Sequence, residues 1–328
     1  MKAKTYTNCL PVILTIVALL AFAASGCQPK ATPLDHEHGS HEAPGLSAVP
    51  LSEEEKLRVV ATTNIVGDVV SIVGSDRIAL TTLMGVGVDP HSYVPTPADT
   101  AAVHDAHAVF ANGAGLEEFL AEMLDSAGGD AVEIHLSDGL ELRGTETEDE
   151  GEHEEGDPHV WFDVQNVIQW VETTKQALAV LDPANAEVYR ANAEAYVHQL
   201  EELDAWVVEQ VATIPLANRK LVTNHPAFGY FADRYGVEQV GAVYPVSPSS
   251  EPSAQDIAEL EKAIREYGAP AVFAESTVNS KLAEQVAEDT GVRLVPLYTG
   301  SLGGPGSGVE SYVQLMRYDV TAIVEALR

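Results

Sequence analysis

Histidine stands next to proline at three places in this chain, in settings suited to holding a metal ion. Asp-Pro-His occurs at residues 89–91 and again at 157–159, and Asn-His-Pro occurs at 224–226. Proline fixes φ and disfavours helix in the residue before it, so these imidazoles belong on stiffened loops at strand ends. Three neutral imidazoles plus a carboxylate or a water make a four-coordinate site suited to zinc. The chain has two cysteines, Cys9 and Cys27. Only Cys27 would remain in a mature chain, which excludes a thiolate cage or an internal disulfide framework there. His104, His107, His135 and His198 lack the proline setting and read as surface or capping residues. A zinc hydrolase would also use three histidines with an open position, but no HExxH pattern is present to supply its base.

The elements that must position these loops alternate strand and helix. Leu57 to Thr63 is a buried-strand pattern, followed by a helix near Asn64 to Val73 and strands at Ile78 to Met84, His107 to Ala111 and Ala131 to Leu136. Helices are expected at Pro97 to Ala106, Leu116 to Leu124 and Val164 to Val180. After residue 215 the alternation resumes, with strands at Lys220 to Thr223, Val237 to Tyr244, Ala271 to Ala274 and Val292 to Leu297. Such spacing implies βαβ units, mostly parallel sheets and ligand-facing loops at the carboxyl ends of the strands. Between the two series runs Pro183 to Thr213 with no internal Gly or Pro. Its apolar stripe is Tyr189, Tyr196, Leu200, Leu203, Val207, Val211 and Ile214, and Asp182 is placed to cap it. At 1.5 Å per residue it would span roughly 46 Å, longer than a small domain is wide. It reads as a strut between two α/β lobes. Two proline-flanked histidines precede it and one follows, so the three meet if strand ends face one cleft.

The ends and insertions carry other signals. Lys2 and Lys4, an apolar run from Leu10 to Ala24, and Ala24-Ser25-Gly26-Cys27 read as a leader spanning residues 1–26. The last four residues resemble the lipobox of bacterial lipoproteins, which implies lipid on Cys27 and a tether to a membrane surface without a spanning helix. Residues 27–56 read as a flexible tether holding His36, His38 and His41. Residues 144–158 contain eight acids and His153 without one apolar side chain, which reads as a solvated acidic loop. Net charge is −32, and losing the leader's two lysines makes it more negative. A surface of that sign repels nucleic acid and attracts cations.

The segments Gly87-Val88-Asp89-Pro90-His91, Asp157 to Asp163, Asn224 to Phe231 and Met316-Arg317-Tyr318 resemble the zinc/manganese (TroA-like) solute-binding lipoproteins of ABC transporters. The resemblance runs from about residue 57 to the C-terminus. It implies two βα lobes, residues 57–181 and 215–328, joined by one long rigid helix at 182–214, with the metal in the cleft between them. It places ligands on His91, His159 and His225, and a histidine as the third of these points to Zn2+ more than Mn2+. The family usually carries an Asp in the loop after the last strand, where this chain has Gly300. Glu275, at the end of the preceding strand, is one candidate for the fourth ligand, a water is another, and Glu275 could instead orient a ligand histidine. The resemblance implies extracytoplasmic metal capture, delivery to an ABC permease and its ATPase, a monomer, and no catalytic activity. A metal-dependent adhesin-like surface lipoprotein is the alternative reading.

Overall fold

A computed structural model describes residues 46–52, 54–144, 156–244, 248 and 252–328, all within the unit Glu42–Arg328. The leader, Cys27, the histidines of the tether and most of the acidic loop lie outside the described residues.

The first series is β1 (Leu57–Ala61), α1 (Asn64–Gly74), β2 (Ile78–Thr82), α2 (Pro97–Asp105), β3 (Ala108–Ala111), α3 (Leu120–Ala127) and β4 (Val132–His135). Its four strands are all parallel in the order β2-β1-β3-β4. Local chemistry marks the helix starts. Thr63 Oγ1 accepts from Val66 N at 3.1 Å to cap α1, and Thr96 and Asp99 form a reciprocal capping box ahead of Pro97 in α2. Helix α3 begins four residues later than the sequence pattern suggests. Residues 112–117 instead wrap around the buried Glu117 carboxylate, which accepts from the Asn112 and Gly113 amides and the Thr62 hydroxyl. Gly113, at φ 80°, takes the left-handed backbone that this wrap requires.

Next come α4 (Val164–Leu181) and the long helix α5 (Ala186–Ala212). The second series is β5 (Lys220–Thr223), α6 (Gly229–Tyr235), β6 (Glu238–Ala242), α7 (Ala254–Tyr267), β7 (Ala271–Glu275), α8 (Lys281–Thr290), β8 (Arg293–Leu297) and α9 (Tyr312–Leu327). Its sheet is also parallel, in the order β6-β5-β7-β8, which repeats the order of the first. Each sheet therefore reverses direction beside its own first strand, and open α/β sheets hold ligands at the carboxyl ends next to that point.

The stripe expected for the long helix is buried throughout, from Tyr189 to Ile214. The helix is shorter than expected. Its first turn, Pro183–Asn185, is 3-10, and the α-helical part has 27 residues, about 40 Å. Asp182 does not cap it. Its Oδ2 accepts from Asn185 Nδ2 at 2.7 Å and from the Tyr189 hydroxyl at 2.6 Å, so the carboxylate holds side chains instead of backbone amides. Helix α5 packs on α1 from the first series, on the preceding α4, and on α6 and α9 from the second series. One apolar core follows it, running from Leu57 and Val66 through Trp170, Tyr196 and Leu203 to Phe231 and Leu327. Met316, Arg317 and Tyr318 secure α9: Met316 is buried, Arg317 lies 4.8 Å from the Trp206 ring of α5, and Tyr318 meets Tyr298 edge-on. No helix among the described residues is long and apolar enough to cross a membrane.

Candidate metal centre

The two Asp-Pro-His tripeptides build the same local turn. Asp89 Oδ1 accepts from the His91 amide at 3.1 Å, and Asp157 Oδ1 accepts from the His159 amide at 3.0 Å. A short 3-10 turn accompanies each, Pro90–Ser92 around His91 and Val160–Phe162 directly after His159. His225 follows β5, and its amide donates to Glu275 Oε1 at 3.0 Å, at the end of the neighbouring strand β7. His159 and His225 are buried, and His91 is partly exposed.

These three loops bring the imidazoles together. Nε2 of His159 lies 3.0 Å from Nε2 of His91 and 2.9 Å from Nε2 of His225. Among the described residues, this is the group of histidines and carboxylates whose ligand atoms converge, all within 4.8 Å of one another. Zinc–nitrogen bonds of ~2.0–2.1 Å at tetrahedral angles put ligand nitrogens roughly 3.3 Å apart, a few tenths of an ångström more than the separations of His159 from His91 and from His225.

The carboxylates behind the rings decide what the Nε2 atoms can do. Asp157 Oδ1 lies 2.7 Å from His159 Nδ1, and Glu275 Oε1 lies 2.6 Å from His225 Nδ1. A carboxylate only accepts, so both histidines carry a proton on Nδ1, and the neutral form of each ring turns the lone pair of Nε2 inward. With both Nε2 atoms 2.9 Å apart and facing each other, a cation between them would take both lone pairs at once. Burial, together with the neighbouring imidazoles, pushes His91 down to about 2. Burial also lowers His159, against the opposing pull of Asp157. Both are thus neutral bases at pH 7, the form in which imidazole binds metal.

Glu275 stands behind His225 with both oxygens engaged. Oε1 takes the two His225 groups, and Oε2 accepts from Thr299 Oγ1 at 2.7 Å. Burial alone would raise this carboxyl, but His225 and the hydrogen bonds from His225 and Thr299 hold it below the usual carboxylate range. The geometry is that of an orienting carboxylate, the second of the two roles open to Glu275 from the sequence. Gly300 packs closely: a Cβ there would lie 2.8 Å from Pro90 Cδ, next to His91.

Supporting residues escaped the sequence reading. Asn112, fully buried after β3, donates from Nδ2 to the Pro158 carbonyl at 3.0 Å and steadies the His159 turn. Trp161 Nε1 donates to the Thr299 carbonyl at 3.1 Å, tying that turn to the loop after β8. Nothing near Asn112 or Thr299 in the sequence signals these contacts, whereas Asp157 was marked by the repeated tripeptide. The remaining described histidines stay outside the centre. His104 Nδ1 meets the Ala127 carbonyl, His107 Nδ1 accepts from the Arg58 amide, His135 pairs with Glu133, and His198 lies near Glu202. A cleft of about 860 Å³ opens onto His159, edged by Arg143, Asp157, Asp233, Glu238 and Glu259.

Comparison with known proteins agrees with this architecture. Residues 59–326 match the family model ZnuA, zinc-uptake complex component A periplasmic. The chain is 34% identical to manganese-binding lipoprotein MntA of Halalkalibacterium halodurans over 323 residues, covering 97% of this chain and 98% of that protein. It is 32% identical to zinc-binding protein TroA of Treponema pallidum over 302 residues, covering 90% of this chain and 94% of that one. The solved structure of periplasmic TroA superposes with a TM-score of 0.76, covering 83% of this chain and 99% of that chain. With the fold, the order of its elements and the extent of the match in agreement, the chain belongs to the ZnuA family of periplasmic metal-uptake components.

Proposed function

We propose that this protein captures Zn2+ outside the cytoplasm through His91, His159 and His225 and hands it to its membrane transporter. The coarser statement follows from family membership: the chain is the substrate-binding component of a metal ABC transporter, and it is not an enzyme. The observation that carries the zinc reading is the convergence of three imidazoles, two of them oriented through Nδ1 by Asp157 and Glu275 so that Nε2 faces the others. An all-imidazole donor set suits zinc, whereas manganese favours carboxylate, carbonyl and water oxygens.

Manganese is the second reading. What favours it is that MntA of H. halodurans is named manganese-binding, although TroA of T. pallidum is named zinc-binding. Glu275 supports His225 in this reading without entering the coordination shell, and water completes the shell. Cys27 carries the lipid anchor, a permease and its ATPase receive the metal, and the protein acts as a monomer. The acidic segment 145–155 raises the local concentration of cations. Lobe boundaries at residues 57–181 and 215–328, with 182–214 as the connecting helix, complete the assignment.

The deciding experiment is elemental analysis of protein purified without added metal, with Zn2+/Mn2+ competition measured on the metal-free protein. Zinc should be recovered at one equivalent and should outcompete manganese at equal concentration. His91→Ala and His225→Ala should each weaken zinc binding sharply by calorimetry. Wild-type affinity in both variants would refute the ligand assignment, and preferential manganese retention would select the second reading.

A further inference from the structure

Asp204 sits about two thirds of the way along α5 on the stripe that faces the core, and only 8% of it is exposed. A carboxylate in that position needs partners, and it draws them from both halves of the molecule. Its Oδ2 accepts from Gln165 Nε2 at 3.0 Å and from Arg234 Nη2. Its Oδ1 accepts from the Tyr235 hydroxyl at 2.9 Å and from Arg234 Nε at 3.3 Å. Arg234 Nε also lies 3.6 Å from Asp163 Oδ1, the cap of α4. The partners are not scattered along the chain. Asp163 and Gln165 open α4 directly after the His159 turn, and Arg234 and Tyr235 close α6, the helix that follows His225. The same two segments meet again where Phe162 stacks on Phe228 with ring centroids 4.3 Å apart. Each of these phenylalanines stands three residues beyond its histidine.

We propose that Asp204 is a positioning residue for the metal centre. By binding the segments downstream of His159 and His225 to one point of α5, it fixes the separation of those two imidazoles. The proposal rests on the reading of these histidines as metal ligands. The planar Arg234 guanidinium reaches both oxygens of Asp204, which fixes orientation as well as distance. Asp204 is buried whereas Arg234 is open to solvent on one side, so it is the carboxylate that needs the pair: without the guanidinium its charge would lie in the core with only the Gln165 and Tyr235 hydrogen bonds. This also gives α5 a second role: besides spanning the two series of elements, it carries the group that joins their ligand-bearing segments.

The test compares Asp204→Asn and Arg234→Lys with Ile264→Ala, a control in the separate apolar cluster of β7, α7 and α8. Zinc affinity is measured by competition with a chromophoric chelator, and zinc release by stopped flow. The visible absorption of the Co2+-loaded protein reports the shape of the ligand shell. All are read at a temperature where circular dichroism shows each variant folded. Asp204→Asn and Arg234→Lys should bind zinc about 10–100-fold more weakly, release it faster and shift the Co2+ bands. Ile264→Ala should lose melting temperature and keep both affinity and spectrum. If the two node variants lose melting temperature but hold zinc within about twofold with an unchanged Co2+ spectrum, the proposal is overturned. Should Asp204→Asn not fold, Arg234→Lys and Tyr235→Phe decide the question in its place, by the same readouts. Wild-type protein that binds neither Zn2+ nor Co2+ overturns the ligand reading itself, a result distinguishable from failure of the node variants alone.

Discussion

At the scale of single residues, the centre depends on groups one step behind the imidazoles. Glu275 fixes the His225 ring through Nδ1 and its loop through the backbone amide, so one carboxylate sets both the tautomer and the approach of that residue. Glu275→Gln keeps the size of the side chain and an oxygen for the His225 amide and Nδ1, with its NH2 toward the Thr299 hydroxyl, but removes the charge that holds Nδ1–H. It should lower zinc affinity about 10–100-fold by calorimetry while X-ray absorption shows the same number of light-atom ligands. Loss of one oxygen from the shell would instead place Glu275 on the metal. His91 adds a pH dependence of known sign. Its folded value is pushed down to about 2, while the unfolded imidazole titrates near 6.5. The unfolded chain therefore takes up a proton that the native protein refuses. This contribution to stability is complete above pH ~6.5 and is lost as pH falls toward about 2. Metal-free protein should lose melting temperature steadily from about pH 7 to about pH 4, and His91→Gln should flatten that slope in scanning calorimetry. An unaltered slope would assign the acid sensitivity to other groups.

At the scale of elements, the loop after β8 meets the turn that holds His91. Gly300 lies against Pro90 so closely that a Cβ would fall 2.8 Å from Cδ and 3.2 Å from Cγ. A proline ring cannot swing aside, so Gly300→Asp must move either the loop or the His91 turn. It should cost about 1–3 kcal/mol of stability, by denaturant titration, and bring no gain in zinc affinity. Tighter zinc binding in that variant would mean that the loop yields and supplies a new ligand. The same comparison of elements shows what the sequence could reveal. Strand and helix alternation, the apolar stripe of α5 and the proline-flanked histidines all follow from short-range pattern, and they are found in the order it gives, with α3 starting four residues late and α5 shortened at its start. What stayed hidden depends on contacts between side chains that no local pattern connects. Asp204 follows Leu203 and lies four residues after Leu200, inside the apolar stripe, and only Arg234 and Gln165 explain a charge there. Asp182 looked like a helix cap because the partners that claim it, Asn185 and Tyr189, are side chains that no local rule requires. Glu275 had two roles open from sequence because its 50-residue separation from His225 closes only through the pairing of β5 with β7.

At the scale of the whole molecule, the two series of elements are fastened at several points besides α5. Asn64 of α1 donates from Nδ2 to Ser301 Oγ at 2.8 Å, and its Oδ1 accepts from the Leu302 amide at 2.9 Å. Gly87, ahead of His91, donates to the same Ser301 Oγ at 2.8 Å. Asp68 of α1 accepts from the Tyr312 amide at the start of α9, and the Tyr312 hydroxyl donates to the Trp161 carbonyl at 2.7 Å. Beneath these bonds the apolar core is continuous through α1, α4, α5, α6 and α9. Hinged closure on a ligand needs a few connecting residues free to absorb the change in φ and ψ, and needs facing surfaces that separate without exposing core. Here separation would break the Asn64 and Asp68 contacts and uncover part of a shared core, so an open state carries a cost that metal binding must offset. Metal binding should therefore adjust side chains and the histidine turns, with little rigid-body motion. Small-angle scattering of metal-free and zinc-loaded protein should give radii of gyration that agree within about 0.5 Å, well below the spread a hinge rotation produces. A contraction of several ångströms would show instead that these cross-contacts form only when the metal is bound. In that case Asn64→Ala should weaken zinc binding, whereas in a protein already closed it should lower the melting temperature and leave zinc affinity unchanged.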